Sequence, residues 1–459
     1  MHYLKQGKTF YKEYFLLMIP MVFQQFVTNF MSLADTFMVG VLGETELAAV
    51  TIANSPLFVV QLLIFGIQSG ACVLVAQYHG KGNPDAINKV LGIGFYVSCA
   101  FSLIVVALEL AIPESVMRVL TNNESLILPG AEYSRFVCVS YFFSAVSGIY
   151  IAVQRSMGNT KLGAVVLSAS GLLNIFLNWI MIFGKFGLPA MGVVGAALAT
   201  TISRVLEVVV CAVYAVLDRS FRIKPALMLR PGKIIARDFT KFALPVVINE
   251  TLWSAATSLY TVIMGHMADN TPIIAAYTIA GNLERVLTVC LFASSSAAAI
   301  IIGREIGRGN RDSVFGKAVS LNVLAFAMGI FSMVLVFIMR FFLAEQYIFP
   351  LLGLSADAVN IGLYMLTVIG FALPLRSLNI TNVVGVFRGG GDVYFAMFTD
   401  IAPIYIFCLP ACAICALVMK LDIHIVYICM FLDDIIKVLI CLPRLRSGKW
   451  INDVTREVV

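Results

Sequence analysis

Apolar stretches long enough to cross a lipid bilayer recur along the whole chain of 459 residues. A transmembrane helix needs about 20 predominantly apolar residues, and lipid forces each spanning segment to satisfy its own backbone hydrogen bonds. Hydrophobic residues make up 60% of the sequence and charged residues only 13%, against about 25% charged in an average soluble domain. The sequence therefore predicts an all-α polytopic membrane protein.

We predict twelve transmembrane helices joined by short connections. No segment between them is long enough to form a separate soluble domain. The predicted spans cover residues 14–39, 46–77, 89–112, 127–153, 161–184, 190–217, 240–267, 272–304, 314–343, 358–387, 394–419 and 423–443.

Basic residues collect in alternate loops, and the richest of these is the segment 218–239 between spans six and seven. The short loop 43–46, which lies on the opposite side, is acidic. Because cytoplasmic loops carry the excess of Lys and Arg, this pattern predicts a plasma-membrane protein with both termini and the loop 218–239 in the cytoplasm. The net charge of +6 then describes orientation and contact with anionic membrane lipids, and nucleic acid is not expected as a partner.

The chain contains an internal duplication, which three pairs of matching segments reveal. Because six spans per half is an even number, both halves enter the membrane in the same orientation, as parallel repeats do in several transporter folds. We therefore predict an N-lobe at 1–217, a linker loop at 218–239 and a C-lobe at 240–459. The matching segments are 20–40 with 245–265, 80–85 with 307–312, and 155–159 with 388–392, at offsets of 225, 227 and 233 residues.

Several motifs along nearly the whole chain resemble those of the multidrug and toxic compound extrusion (MATE) family, which belongs to a larger superfamily of oligosaccharide and lipid exporters. They include Ala34-Asp-Thr-Phe-Met-Val-Gly40, Gln77-Tyr-His-Gly-Lys-Gly-Asn83, Gln154-Arg-Ser-Met-Gly-Asn-Thr160, Asn174-Ile-Phe-Leu-Asn178 and Gly192-Val-Val-Gly-Ala-Ala-Leu-Ala-Thr200. The resemblance implies two six-helix lobes that form a V-shaped central cavity. It also implies an antiporter that exports small organic, often cationic and amphipathic compounds in exchange for H⁺ or Na⁺.

The sequence shows neither convergent catalytic groups at a membrane face nor an attached soluble domain, so neither an enzyme nor a sensor is expected. We also expect no cofactor beyond the coupling ion, and a protein that functions as a monomer. The sequence has no Gly-x-x-x-x-Gly-Lys-Ser/Thr motif, so ATP is not expected as the energy source. A lipid-linked saccharide flippase of the same superfamily is the alternative. Such a flippase is expected to carry more cationic residues along its cavity and often two extra spans.

Asp35, in the first span, is the main candidate for ion coupling. Ionisable residues inside a membrane usually face the bundle interior and serve function; the alternative is a carboxylate held by the hydroxyls of Ser32 and Thr36. Asn174 and Asn178 share a face of span five. The resemblance places the second of them, often Asp in relatives, beside Asp35 with Thr200 of span six, in a cation site that would suit Na⁺. Hydrogen bonding between helices is the alternative for the Asn pair.

Glu250, in span seven, resembles a glutamate that related exporters use for cation or substrate binding in the second lobe. Relatives often add an acidic residue in span ten, where this chain has Arg376 and no carboxylate. Glu284, near the middle of span eight, is a further candidate to face the cavity.

Other charged residues inside the spans are predicted to be structural. The i,i+3 spacing predicts ion pairs between Arg204 and Glu207 in span six and between Asp434 and Lys437 in span twelve. Asp433 has no predicted partner, Asp400 is expected to bond to groups at a span end, and Glu109 is expected to extend towards the membrane surface. The four histidines are scattered at loops and span ends, so no metal site is expected beyond the Na⁺ site at Asp35, Asn174 and Asn178.

Overall fold

The computed structural model describes residues 6–267, 270–349 and 354–456, and in these residues all regular structure is helical. The described residues form eighteen α-helices and four π-helical stretches, and all four π-helical stretches lie after residue 338: Met339–Ile348, Thr381–Phe387, Ile404–Cys408 and Ile414–Val418. The predicted all-α fold class is confirmed. The α-helices are α1 (Lys8–Gly40), α2 (Glu44–Ala53), α3 (Ser55–Lys81), α4 (Pro84–Ala111), α5 (Pro113–Leu120), α6 (Glu124–Val137), α7 (Val139–Ser156), α8 (Thr160–Phe183), α9 (Gly192–Leu217), α10 (Pro225–Leu229), α11 (Lys233–Gly265), α12 (Asn270–Gly307), α13 (Arg311–Ile338), α14 (Ala356–Ile380), α15 (Val393–Pro403), α16 (Leu409–Ala413), α17 (Ile423–Cys429) and α18 (Leu432–Ser447).

Nine helical segments of the described chain are long and apolar enough to cross a membrane. The pair α6 and α7, bent by 41° between them, makes ten if it counts as one span. Helix α11 and the pair α17 and α18 coincide with the two remaining predicted spans. Ionisable residues lower the mean hydropathy of α11, and α17 and α18 are separate short helices of 7 and 16 residues. The twelve-span layout is consistent with the helices observed.

The duplicated segments adopt the same turns. Gly82 ends α3 with a φ of 71° before α4, and its equivalent Gly309 has a φ of 79° before α13. Gly158 and Gly391, which precede α8 and α15, have φ values of 99° and 81°. Glycine is favoured at these four helix ends because positive φ strains residues that carry a Cβ atom. The repeat seen in the sequence is therefore a repeat of local structure.

Contacts within the described residues divide the chain into two compact units. The N-terminal unit is Pro20–Val247, and the C-terminal unit joins the residues up to Ile19 to Ile248–Arg456. Both boundaries fall inside a helix close to a proline, Pro20 in α1 and Pro245 in α11. Proline has no N–H to donate to the helical hydrogen-bond pattern. The first parts of α1 and α11 thus each pack with the unit formed by the other half of the chain.

Specific contacts explain this exchange. In the C-terminal unit, Tyr14 of α1 is fully buried and its hydroxyl lies 2.6 Å from that of Ser294 on α12. In the N-terminal unit, a Cβ atom on Gly70 of α3 would lie only 2.3 Å from the Cα atom of Ala243 on α11. Gly66, one turn earlier, meets Val247 in the same way. Small residues four apart let two helix backbones approach closely in a membrane.

Candidate functional site

Four of the predicted site residues form one hydrogen-bonded chain in the N-terminal unit. The side-chain amide of Asn178 donates to Asp35 Oδ1 at 2.7 Å and to Asn174 Oδ1 at 3.3 Å. The amide of Asn174 donates to Thr200 Oγ1 at 3.3 Å. These hydrogen bonds link α1, α8 and α9, because the i,i+4 spacing puts both asparagines on the face of α8 that meets the other two helices.

The amide oxygen of Asn178 is buried and has no hydrogen-bond partner among the described residues. The side chain is fully buried, and its amide nitrogen is already engaged by Asp35 and Asn174. An unpartnered buried carbonyl oxygen is costly, so this atom is a ready acceptor for a proton donor or ligand for a cation. The Ser32 and Thr36 alternative is not favoured, since the Thr36 hydroxyl donates to the Ser32 backbone oxygen at 2.8 Å.

Oxygen atoms dominate this cluster. The carboxylate of Asp35, the amide oxygens of Asn174 and Asn178 and the hydroxyl of Thr200 lie along one hydrogen-bonded path. Oxygen ligands suit a hard cation, and a carboxylate that is protonated becomes a hydrogen-bond donor. The arrangement is therefore suited to bind and release a cation or a proton at Asp35. Such an event would alter the hydrogen bonds that connect Asp35 to α8 and α9.

The C-terminal unit holds Glu250, and its carboxylate is paired with an arginine. Glu250 Oε1 accepts a hydrogen bond from Arg388 Nη1 at 2.9 Å, and the Arg388 side chain is only 3% exposed. Arg388 follows the π-helical stretch Thr381–Phe387, and such stretches occur frequently at functional sites. Glu250 thus neutralises a buried cation.

Glu284 lies in the same unit and is also paired with an arginine. Its carboxylate contacts the guanidinium of Arg376, whose Nε atom also donates to Asp434 Oδ2 at 3.2 Å. A second chain of charges runs from Asp400 through Lys437, which lies 2.8 Å from both Asp400 Oδ1 and Asp433 Oδ2. Together with the Glu250–Arg388 pair, these ion pairs form a network of five carboxylates and three basic groups, so negative charge is in excess among the paired groups.

The structure corrects three predictions about the structural charges. The prediction of an Asp434–Lys437 pair is wrong, because Lys437 pairs with Asp433 one helical turn away and Asp434 forms an ion pair with Arg376. Asp433 therefore has a partner. Glu109 does not extend to the surface: it is 1% exposed and accepts from the hydroxyl of Tyr141 at 3.3 Å.

Two other predictions about these charges are confirmed or refined. Arg204 Nη1 and Glu207 Oε1 form the predicted i,i+3 pair at 2.6 Å. Asp400 binds the side chains of Lys437 and Asn249, the latter at 2.9 Å, where the sequence indicated only groups at a span end. The role of Arg388 was missed, although its place in a duplicated segment was a signal that the sequence contained.

Two repeated helical halves, bilayer-length apolar helices and buried polar clusters within the bundles indicate a multi-pass membrane protein with an internal repeat. A family model described as MatE matches residues 20–180 and 245–414, one segment in each half. The chain belongs to the multidrug and toxic compound extrusion (MATE) family, whose members are transporters and not enzymes. The predicted family is confirmed.

Curated relatives and solved structures agree with this assignment. The chain is 24% identical to a probable multidrug resistance protein, NorM, of Thermotoga maritima, over 96% of this chain and 93% of that protein. It is also 24% identical to an uncharacterised transporter, YisQ, of Bacillus subtilis, over 97% and 96% of the two chains. A crystal structure of a MATE transporter in a bent conformation has the same fold, with a TM-score of 0.84 at 19% identity and coverage of 98% of both chains.

Proposed function

We propose that this protein exports small organic, often cationic and amphipathic compounds across the plasma membrane in exchange for H⁺ or Na⁺ by alternating access. The observation that carries the proposal is the path Asp35–Asn178–Asn174–Thr200 with its unpartnered Asn178 oxygen. Membership of the family and the relatives named as multidrug resistance proteins support the substrate class.

Asp35 is the proposed coupling group. An ionised Asp35 accepts from the Asn178 amide, whereas a protonated Asp35 needs an acceptor, which Asn178 supplies if its amide rotates by half a turn. A sodium ion would instead draw the Asp35 carboxylate and the free Asn178 oxygen towards itself. Either event rearranges the bonds to Asn174 and Thr200 and so changes the contacts between α1, α8 and α9. Pro20 supplies a place in α1 about which that helix can bend.

Glu250 and Glu284 are the proposed attractors for positive charge in the second half of the chain. The excess of carboxylates over basic groups around them supports this role. Glu284, with a side chain 20% exposed, is the most accessible carboxylate of the network. A cationic substrate would compete with Arg376 and Arg388 for these carboxylates.

The proposed organisation follows the repeat, with lobes at 1–217 and 240–459 joined by the linker 218–239. We propose that a single chain is sufficient for transport and that membrane lipids are its other contacts. A coupling ion is the only cofactor in this scheme, and ATP has no role. The lipid-linked saccharide flippase is not favoured, because no feature of the described polar clusters resembles a strip of cationic residues for a large headgroup.

The linker and both termini are expected to lie in the cytoplasm. Basic residues in the linker support this orientation, since positively charged loops stay inside. In intact cells, a single cysteine placed at Pro231 should resist a membrane-impermeant maleimide and react only after permeabilisation. A cysteine placed at Asn122, in the connection between α5 and α6, is the matched control and should react from outside. The reverse labelling pattern would contradict the topology.

Export should respond to an imposed ion gradient in vesicles of purified protein. With ethidium as the probe, transport is expected when a proton or a sodium gradient is imposed separately, and the active gradient identifies the coupling ion. ATP without a gradient should give no transport above that of protein-free vesicles. Equal export with no gradient of either ion would contradict antiport.

A further inference from the structure

The N-terminal unit contains a small polar cavity that is separate from the Asp35 path. Its volume is about 110 Å³, enough for a few water molecules or a small ion and too small for a multi-ring drug. Helices α1, α3, α7, α8 and α9 each contribute to its wall. The polar residues that line it are Gln24, Gln68, Ser144, Ser147, Arg155, Arg204 and Glu207.

The carboxylate in this cavity belongs to Glu207, and it already accepts three hydrogen bonds. Glu207 is 1% exposed, and its Oε1 atom accepts from Arg204 at 2.6 Å and from the Ser170 hydroxyl at 2.8 Å. Its Oε2 atom accepts from the Ser147 hydroxyl at 3.0 Å. Glu207 therefore neutralises Arg204, and its lone pairs are already directed to three donors.

Arg155 is the second basic group of the cavity. It is half-buried, and within residues 6–267, 270–349 and 354–456 its guanidinium has no ion pair and no hydrogen bond; the backbone carbonyl of Arg155 accepts from Gly158 N at 2.9 Å. With two arginines and one glutamate, the lining has an excess of one positive charge. A guanidinium partly removed from water without a counter-charge is costly, so an anion that enters would be stabilised.

The duplication shows what is missing at Arg155. Its repeat equivalent is Arg388, which Glu250 neutralises at 2.9 Å. The residue equivalent to Glu250 in the first half is Gln25, and Gln24 beside it lines the cavity. Two neutral amides thus occupy the segment that carries a carboxylate in the second half. The first half therefore has the arginine but no carboxylate at the position equivalent to Glu250.

We propose that this cavity binds a small oxyanion, with Arg155 as the cationic ligand and the amide of Gln68 as a neutral donor. A guanidinium presents a fork of N–H groups that matches a carboxylate. The Gln68 amide is held against α7, since a Cβ atom on Gly148 would lie 2.4 Å from its Nε2 atom. The oxyanion is either a free anion or the carboxylate of a zwitterionic substrate. Only the latter source depends on the proposed export function.

Anion binding can be measured on the purified protein without any gradient. Acetate is the probe, titrated at constant ionic strength against chloride, and the readout is the midpoint of thermal unfolding. A ligand that binds the folded state raises the midpoint as its concentration rises. The wild-type midpoint should rise with acetate, whereas Arg155→Gln should abolish this dependence. Arg118→Gln, which removes an exposed pair with Glu124, is the matched control and should keep it.

Gln24→Glu gives a second test that does not depend on losing a side chain. This change restores to the first half the counter-charge that Glu250 supplies in the second. It should raise the unfolding midpoint in the absence of acetate and remove the response to acetate. A wild-type response no larger than that of Arg155→Gln would overturn the proposal, as would an undiminished response in Gln24→Glu.

The source of the oxyanion is distinguished by transport in vesicles. If the anion is a substrate carboxylate, Arg155→Gln should raise the KM for a zwitterionic fluoroquinolone at least tenfold and leave the KM for ethidium unchanged. If it is a free anion, both compounds should show the same change. Because acetate binding is measured without transport, it can succeed where the export proposal fails.

Discussion

Asp35→Asn should abolish gradient-driven export and leave the protein folded. Asparagine keeps an oxygen that can accept the 2.7 Å hydrogen bond from Asn178, so the path to Asn174 and Thr200 can persist. It cannot take up a proton or offer a full negative charge to sodium. The proposed coupling step is therefore removed, and ethidium export from vesicles should fall to the level of protein-free vesicles under either gradient.

The matched control for this change is Asp85→Asn. Asp85 pairs with Lys224 at 2.6 Å, with both side chains about half exposed, and such surface pairs contribute little to stability. The control should retain full export. Asp35→Asn protein should also still bind ethidium in detergent without a gradient. Undiminished gradient-driven export by folded Asp35→Asn protein would defeat the proposed coupling role.

Glu250→Gln should destabilise the protein strongly, because it removes the carboxylate that pairs with the buried Arg388 at 2.9 Å. Removing one partner of a buried ion pair costs about 3–5 kcal/mol. Since Glu250 is 16% exposed, we expect a loss near the lower end, about 3 kcal/mol. The measurement is the midpoint of thermal unfolding in detergent. Glu124→Gln, at an ion pair whose side chains are 59% and 74% exposed, should leave the midpoint unchanged.

The double variant Glu250→Gln with Arg388→Gln separates charge balance from transport. It removes both charges, so much of the lost stability should return. If Glu250 attracts cationic substrates, export of ethidium should remain low in this folded double variant. Full export by the double variant would assign Glu250 to neutralising Arg388 and remove it from the proposed site.

The Asp35 cluster could be predicted from the sequence because its geometry follows from local rules. The spacing of Asn174 and Asn178 places them on one helix face whatever the rest of the fold does. A carboxylate inside an apolar span must find polar neighbours, since lipid offers none. The family resemblance then indicated which helices meet. The unpartnered oxygen of Asn178 had no such signal, because it depends on the orientation of one amide among three neighbours.

The charged network around Glu250 and Glu284 could not be predicted in the same way. Spacing within a helix suggested that Asp434 binds Lys437, yet both find closer partners on other helices. A helix allows i,i+3 and i,i+4 pairs but does not choose between them and a charge on a neighbouring helix. That choice depends on packing, which also buried Glu109 beside Tyr141.

The sequence by itself determined the helical membrane class, the duplication and the turns that mark it, because hydropathy, residue period and glycine conformation act over a few residues. Tertiary structure alone decided that the first parts of α1 and α11 pack with the opposite halves of the chain. It also decided that Arg388 has a carboxylate partner while its repeat equivalent Arg155 lacks one. These outcomes depend on contacts between residues far apart in the chain, and such contacts form only when the helices have packed.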